Sequence, residues 1–126
     1  MYEVSVSETI CISHRVPDES GAPGPLHGHN WRITALVEAS TLDAAGLVAR
    51  PDRLRTALHD AVDPLDHRSL GDLAEFAARV PSAAAVAGFV GALLSSRLDD
   101  GRCRVASVEV ADGTGAVARW RRGGSA

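Results

Sequence analysis

The chain has 126 residues, 45% hydrophobic and 23% charged, a composition typical of a single globular domain. Its net charge of −3 at pH 7 disfavours nucleic-acid binding, so the arginines at 119, 121 and 122 predict a solvated strand edge. No apolar run reaches membrane-spanning length. Two cysteines without a secretory signal predict reduced thiols in a cytoplasmic protein. We expect one domain over residues 1–122 and a flexible tail over residues 123–126.

The first third of the chain predicts two strands. Apolar and polar residues alternate over residues 2–12, with Val4, Val6, Ile10 and Ile12 on one parity, which is typical of a half-buried strand. Prolines and glycines then crowd residues 15–25, which predicts a loop. Residues 27–39 predict a second strand. We expect the two strands to pair antiparallel, with the loop as a long hairpin connection.

The remainder of the chain predicts two helices and two more strands. Pro51 opens the first helix and Pro64 ends it, and Ser82 is a favourable N-cap for the second, which ends near Leu98 and Gly101. Strands follow over residues 104–111 and 116–121, joined by an Asp-Gly turn. The order β-β-α-α-β-β predicts an α+β fold, in which a four-stranded antiparallel sheet carries both helices on one face. Its open edges predict a homo-oligomer.

Three histidines form the most informative pattern. His27 and His29 flank Gly28 on a predicted strand, so their side chains point to the same face of the sheet. Antiparallel pairing would bring His14, near the end of the first strand, beside them. Three imidazole nitrogens with an open fourth position are the ligand set of a catalytic zinc site. The sequence therefore predicts Zn²⁺ held by His14, His27 and His29.

Two other features could take part in catalysis or substrate binding, and each could instead have a purely structural role. His67 can move protons while Asp66 fixes its tautomer, but the pair is equally compatible with a helix-terminal histidine and a turn-capping aspartate. Asp112 is either the first residue of a tight turn or a carboxylate that binds a donor-rich ring. Cys11 has the opposite strand parity to His14, so we expect its thiol to point away from the metal.

These motifs resemble the 6-pyruvoyl- and 6-carboxy-tetrahydropterin synthase family. The resemblance runs in family order over nearly the whole chain, through the segments at 13–16, 26–31, 65–67, 81–82 and 108–110. It implies a tunnelling fold, in which three sheets join into a barrel and two trimers stack into a hexamer with active sites between subunits. It also implies zinc on the histidine triad, a base assisted by Asp66 and His67, and a pterin-anchoring carboxylate at Asp112.

The sequence departs from the family pattern at several positions. Pro23 occupies the place of the family's catalytic cysteine, or of the glutamate found in a variant of the family, and it has no acid–base chemistry. Asp112 is one methylene shorter than the family's glutamate. Ala83–Ala85 lacks the acidic residue that usually follows the Pro-Thr/Ser pair, and Arg50-Pro51 replaces an Asp-Phe pair. The replacement base is then to be sought among Asp18, Glu19 and His67.

Three functional readings follow. The leading one is a zinc-dependent lyase or cyclase that promotes enediolate-type elimination, aldol cleavage, isomerisation or cyclisation of a dihydropterin or a related small biosynthetic intermediate. The second is an enzyme of secondary metabolism with a non-pterin substrate. The third is a non-catalytic zinc-binding module, which the missing thiol favours and the presence of Asp66 and His67 disfavours.

Overall fold

Two long antiparallel strands form the centre of the sheet. A computed structural model describes residues 1–123, so most of the predicted tail, residues 124–126, lies outside the described residues. Strand β1 spans Tyr2–His14 and strand β2 spans His27–Ala39. They pair over their full length, from Tyr2 opposite Ala39 to His14 opposite His27. The predicted pairing is therefore confirmed, and β1 extends to include His14 itself.

The two helices begin and end where the sequence predicted. Helix α1 spans Pro51–Val62, and a 3-10 turn over Asp63–Leu65 follows it. Helix α2 spans Ala83–Leu98, and the Ser82 side chain accepts a hydrogen bond from the Ala85 N–H at 3.1 Å. That bond satisfies one of the N–H groups that a helix leaves free at its start, which explains why α2 begins at this position.

The sheet has five strands rather than the four predicted. Strand β3 is the two-residue segment Arg68–Ser69, which runs parallel to the end of β1, and two short 3-10 turns over Leu70–Asp72 and Ala74–Phe76 follow it. Strands β4, Cys103–Ala111, and β5, Val117–Arg121, form the predicted hairpin. The order across the sheet is β3-β1-β2-β4-β5. A two-residue strand carries no alternation, so sequence periodicity gives no sign of β3.

One face of the sheet packs against both helices. The even-numbered residues of β1 and the odd-numbered residues of β2 are the buried ones, and the register places them side by side. Trp31, Ile33 and Val37 are almost completely buried on this face, where helix residues such as Leu58 and Val90 meet them. His14, at an even position of β1, and His27 and His29, at odd positions of β2, follow this pattern and continue the core face at the end of the sheet.

The other face of the sheet is polar and is not covered by the helices. Arg119 pairs there with Glu109, and Arg104 donates to Glu38 at 2.8 Å. Arg122, just past β5, pairs with Asp99. Carboxylates thus partner two of the three C-terminal arginines. Neither of the two helices within residues 1–123 has the length and hydropathy needed to span a bilayer.

The contact between β5 and α2 predicts a sharp difference between two glycines of the same helix. A Cβ on Gly91 would lie 2.4 Å from the Trp120 ring, whereas a Cβ on Gly88 would lie 3.8 Å from it, an ordinary contact. We expect Gly91→Ala to lower the free energy of unfolding by about 1–3 kcal/mol, because Trp120 and β5 must shift. Gly88→Ala should leave it unchanged or raise it by up to about 1 kcal/mol, because alanine favours the helix. Urea unfolding of both variants checks this, and equal effects would contradict it.

Candidate metal centre and active site

The histidine triad assembles where β1 ends and β2 begins. The register places His14 opposite His27 and Ile12 opposite His29, so all three imidazoles project from the helix-covered face. One ring nitrogen from each histidine lies within 4.8 Å of the others. The ring centroids are 4.5 Å apart for His14–His27, 4.8 Å for His27–His29 and 5.1 Å for His14–His29. The predicted juxtaposition of the three side chains is therefore present.

Two backbone carbonyls fix the tautomers of two of these histidines. The Nδ1 of His14 lies 2.8 Å from the Pro81 oxygen, and the Nδ1 of His27 lies 3.0 Å from the Pro25 oxygen. A carbonyl oxygen only accepts, so each Nδ1 carries the proton and each Nε2 presents a lone pair. The two Nε2 atoms are 2.9 Å apart. Two lone pairs facing each other at this distance repel, and either a proton on one ring or a metal ion bound by both rings removes the repulsion. The donor set therefore fits a metal such as zinc.

Burial also prepares His14 for metal binding. Only 4% of the residue is exposed. Desolvation lowers the pKa of its imidazole below the usual value, and the neighbouring His27 and His29 lower it further, against the opposing effect of the hydrogen bond to Pro81. A lowered pKa keeps the ring neutral at neutral pH, and the neutral ring is the form that donates a lone pair to a metal.

A cleft opens beside the triad, and Asp112 lies in its wall. The other wall residues come from the loop just after β1, from β2 and from the N-cap and first residue of α2; they are Val16, Trp31, Ser82 and Ala83. The Asp112 carboxylate accepts hydrogen bonds from the Thr114 hydroxyl at 2.6 Å and the Thr114 N–H at 2.8 Å. These bonds lower its pKa, with a smaller contribution from nearby His29. Asp112 is thus both a turn residue and an ionised acceptor in the triad cleft.

Asp66 and His67 lie elsewhere, along the outer edge of β1. The Asp66 carboxylate accepts a hydrogen bond from the Cys11 N–H at 2.8 Å, and the His67 N–H donates to the Cys11 carbonyl at 2.6 Å. The His67 side chain is 79% exposed, and its Nδ1 lies 3.1 Å from the Asp66 carboxylate. The backbone of His67 has φ +60°, a left-handed conformation that the turn into β3 imposes. Within the described residues the pair does not line the triad cleft.

The loop between β1 and β2 offers no ready replacement for the missing thiol. The Asp18 carboxylate accepts hydrogen bonds from the Ser20 hydroxyl, the Ser20 N–H and the Ala22 N–H, which lowers its pKa and makes it a poor base. Glu19 is exposed. Pro23 lines a neighbouring cleft together with Arg15 and residues 77–81, not the triad cleft.

A glycine closes the neck of this loop. The Gly24 N–H donates to the Val16 carbonyl at 3.2 Å, and a Cβ on Gly24 would lie 2.2 Å from that oxygen. No larger residue fits this approach without moving the backbone. This contact joins the two ends of the loop, near Val16 in the wall of the triad cleft and Pro25, whose carbonyl contacts His27.

Sequence reasoning missed several parts of the cleft. Trp31 has the same parity as His27 and His29, and this signal was available to place it beside them. The carbonyls of Pro25 and Pro81 are backbone groups, so no residue type marks them. The structure agrees with the prediction that the Cys11 thiol points away from His14, because Cys11 is exposed on the face of the sheet that the helices do not cover.

Comparison with known proteins places this arrangement in a family. A family model described as 6-pyruvoyl tetrahydropterin synthase matches residues 3–123. The chain belongs to the 6-pyruvoyl tetrahydropterin synthase family. No protein of curated function matches the sequence significantly. The resemblance predicted from the motifs is thus confirmed over almost the whole chain.

Solved structures show that the fold is that of the 6-pyruvoyl tetrahydropterin synthases. The Caenorhabditis elegans enzyme superposes with a TM-score of 0.81 at 16% identity, covering 97% of this chain and 96% of that one. A catalytic-residue mutant of the Plasmodium vivax enzyme gives 0.79 at 16% identity, covering 96% and 97%. An uncharacterized protein from Wolinella succinogenes gives 0.76 at 20% identity, covering 97% and 98%. The predicted α+β fold of the single subunit is therefore confirmed.

Proposed function

We propose that this protein is a zinc-dependent lyase or cyclase that promotes elimination, aldol cleavage, isomerisation or cyclisation of a dihydropterin or a related small biosynthetic intermediate through an enediolate. Family membership supports a lyase-type enzyme. The observation that carries the metal assignment is the pair of Nε2 atoms of His14 and His27, which are 2.9 Å apart and which group with a ring nitrogen of His29 within 4.8 Å. Zinc bound there supplies Lewis acidity to hydroxyl or carbonyl oxygens of the substrate.

We assign proton transfer to His67, with Asp66 as its orienting partner. The Nδ1 of His67 lies 3.1 Å from the Asp66 carboxylate, so Nε2 is left free to take a proton from a carbon–hydrogen bond and return it. The turn from α1 into β3 fixes the backbone of both residues against Cys11. An exposed imidazole that faces solvent at a sheet edge is accessible to a second molecule of the same chain.

We therefore propose that the active site forms between subunits of a homo-oligomer, either a trimer or a hexamer. Asp66 and His67 lie at one edge of the sheet, whereas β5 leaves the opposite edge open. Edge strands with unpaired backbone groups favour pairing with other chains. In this arrangement His67 of one subunit reaches the triad of another, which accounts for its position outside the cleft of its own subunit.

We assign substrate recognition to Asp112. Its carboxylate is ionised and lies in the cleft wall near His29. A carboxylate accepts hydrogen bonds from neighbouring N–H donors, such as those along the guanidine-like edge of a pterin. The small-molecule assignment also agrees with the pairing of Arg119 and Arg122 to carboxylates, which leaves them poorly suited to bind a phosphate backbone. We place the protein in the cytoplasm, where Cys11 and Cys103 would stay reduced.

Pro23 favours a second candidate function, that of a diverged enzyme with a non-pterin substrate. A proline stands where the family's base is expected, and it faces a different cleft. A non-catalytic zinc-binding module is the remaining alternative. The organised contacts of Asp66 and His67 argue for catalysis, because a binding module has no use for an exposed imidazole beside an orienting carboxylate.

Product analysis by mass spectrometry tests the proposed function. Zinc-loaded protein is incubated with dihydroneopterin triphosphate and, separately, with dihydroneopterin, and the metal-free protein is the control. A new pterin product that depends on zinc supports the assignment. If neither compound is consumed by protein that holds one zinc per subunit, the substrate is not one of these pterins or the protein does not catalyse a reaction.

A further inference from the structure

The three histidines of the triad are not held in the same way. Proline carbonyls accept the Nδ1–H of His14 and of His27. The His29 ring neither donates a hydrogen bond to, nor accepts one from, any group within residues 1–123. A metal-binding imidazole whose second nitrogen has no partner needs another means of holding its ring plane.

Trp31 supplies the missing contact. It follows His29 by two residues, so both side chains project from the same face of β2. The indole stacks on the His29 imidazole with an interplanar angle of 24° and centroids 5.9 Å apart. Its edge contact with the His14 ring has an interplanar angle of 82° and a centroid distance of 5.1 Å. The indole is 1% exposed, so the packed core holds it rigidly in turn.

We infer that Trp31 is a positioning residue of the metal centre, and that the surface of its ring fixes the orientation of His29 and braces His14. This inference rests on the proposed metal function of the triad. The Trp31 Nε1–H is buried and has no acceptor within residues 1–123. Trp31 therefore positions the histidines through contacts of its ring and not through a hydrogen bond. An aromatic ring of another type should serve, whereas an aliphatic side chain should not.

Three variants separate ring positioning from general packing. Trp31→Phe keeps an aromatic ring and removes the N–H, and Trp31→Met fills the space flexibly without a ring. Ile33→Ala is the matched control, because Ile33 is a fully buried residue two positions further along the same face of β2. Zinc affinity is measured by competition with a chromophoric chelator, the visible absorption of bound Co²⁺ reports ligand geometry, and circular dichroism confirms folding.

We expect Trp31→Met to bind zinc about 10–100-fold more weakly than the wild type and to change the Co²⁺ spectrum. Trp31→Phe should stay within about threefold of the wild-type affinity, since the stacked ring remains. Ile33→Ala should leave affinity and spectrum unchanged, although it lowers the unfolding temperature, because a variant that stays folded presents the same site. Agreement with all three results supports the inference.

The possible failures are distinguishable. If the wild type binds zinc and Trp31→Met binds it equally well with the same Co²⁺ spectrum, the positioning role is overturned and the metal assignment stands. Equal losses of affinity in Trp31→Met and Ile33→Ala would also overturn it, since general packing would then explain both. If the wild type binds neither metal, the proposed function itself fails. Should Trp31→Met not fold, a loss of more than about tenfold in Trp31→Phe overturns the inference.

Discussion

Replacing His29 with alanine should abolish stoichiometric zinc binding and lower the affinity by more than about 100-fold, a larger effect than the loss of a residue that only positions a ligand. Two imidazoles remain in His29→Ala, and a pair of nitrogen ligands rarely holds zinc against competing buffer components. The structure gives no fourth histidine, cysteine or carboxylate within the described residues that groups with the triad as a replacement ligand. Equilibrium dialysis followed by elemental analysis of zinc per subunit measures the effect.

His59→Ala is the matched control for this variant. His59 lies on α1, where its Nδ1 is 2.7 Å from the Glu8 carboxylate, away from the triad. It should retain one zinc per subunit. Saturating zinc should also stabilise the wild type and His59→Ala against thermal unfolding, by about 2.7 kcal/mol at a hundred times Kd, but not His29→Ala. Full zinc occupancy in His29→Ala would contradict the proposed ligand set.

Most of the fold was predictable from the sequence, and the physical reasons are local. The alternation in β1 and β2 sets which residues are buried. The loop is long enough for β2 to return beside β1, and antiparallel pairing of the two strands places His14 opposite His27. Pro51, Pro64 and Ser82 mark helix ends through steric and capping effects that act within one turn. Such features need no knowledge of distant contacts.

The parts that escaped prediction depend on tertiary contacts. Strand β3 exists because the chain turns at His67 and docks on the Cys11 backbone, and two residues leave no periodic signal. The carbonyls of Pro25 and Pro81 accept hydrogen bonds from the triad histidines. Every residue has a carbonyl, so the sequence cannot identify these two. The separation of Asp66 and His67 from the triad within one chain likewise reflects packing at the sheet edge.

Replacing His67 with asparagine should lower turnover about 10²–10⁴-fold while leaving zinc content and stability unchanged. Asparagine tolerates the left-handed backbone at this position, φ +60°, and it lacks a titratable ring, so the variant removes the proton carrier without straining the turn. Steady-state rates on the pterin that the wild type consumes, with zinc measured on the same samples, check the result. A variant with wild-type turnover would remove His67 from the mechanism.

Mixing two inactive variants tests whether the site is shared between subunits. In a random hybrid of His29→Ala and His67→Asn chains, half of the triads are intact and half of the neighbouring His67 side chains are intact. Turnover should therefore return to about a quarter of the wild-type value, because one site in four combines both. The two chains are produced together in equal amounts and the whole mixture is assayed, while different tags and sequential affinity steps on a separate sample verify that hybrids form. The parent variants, alone, should stay inactive. Hybrids without activity would mean that His67 acts only on the triad of its own chain, and would contradict the shared site. Within one chain, His67 lies at the outer edge of β1 and outside the triad cleft.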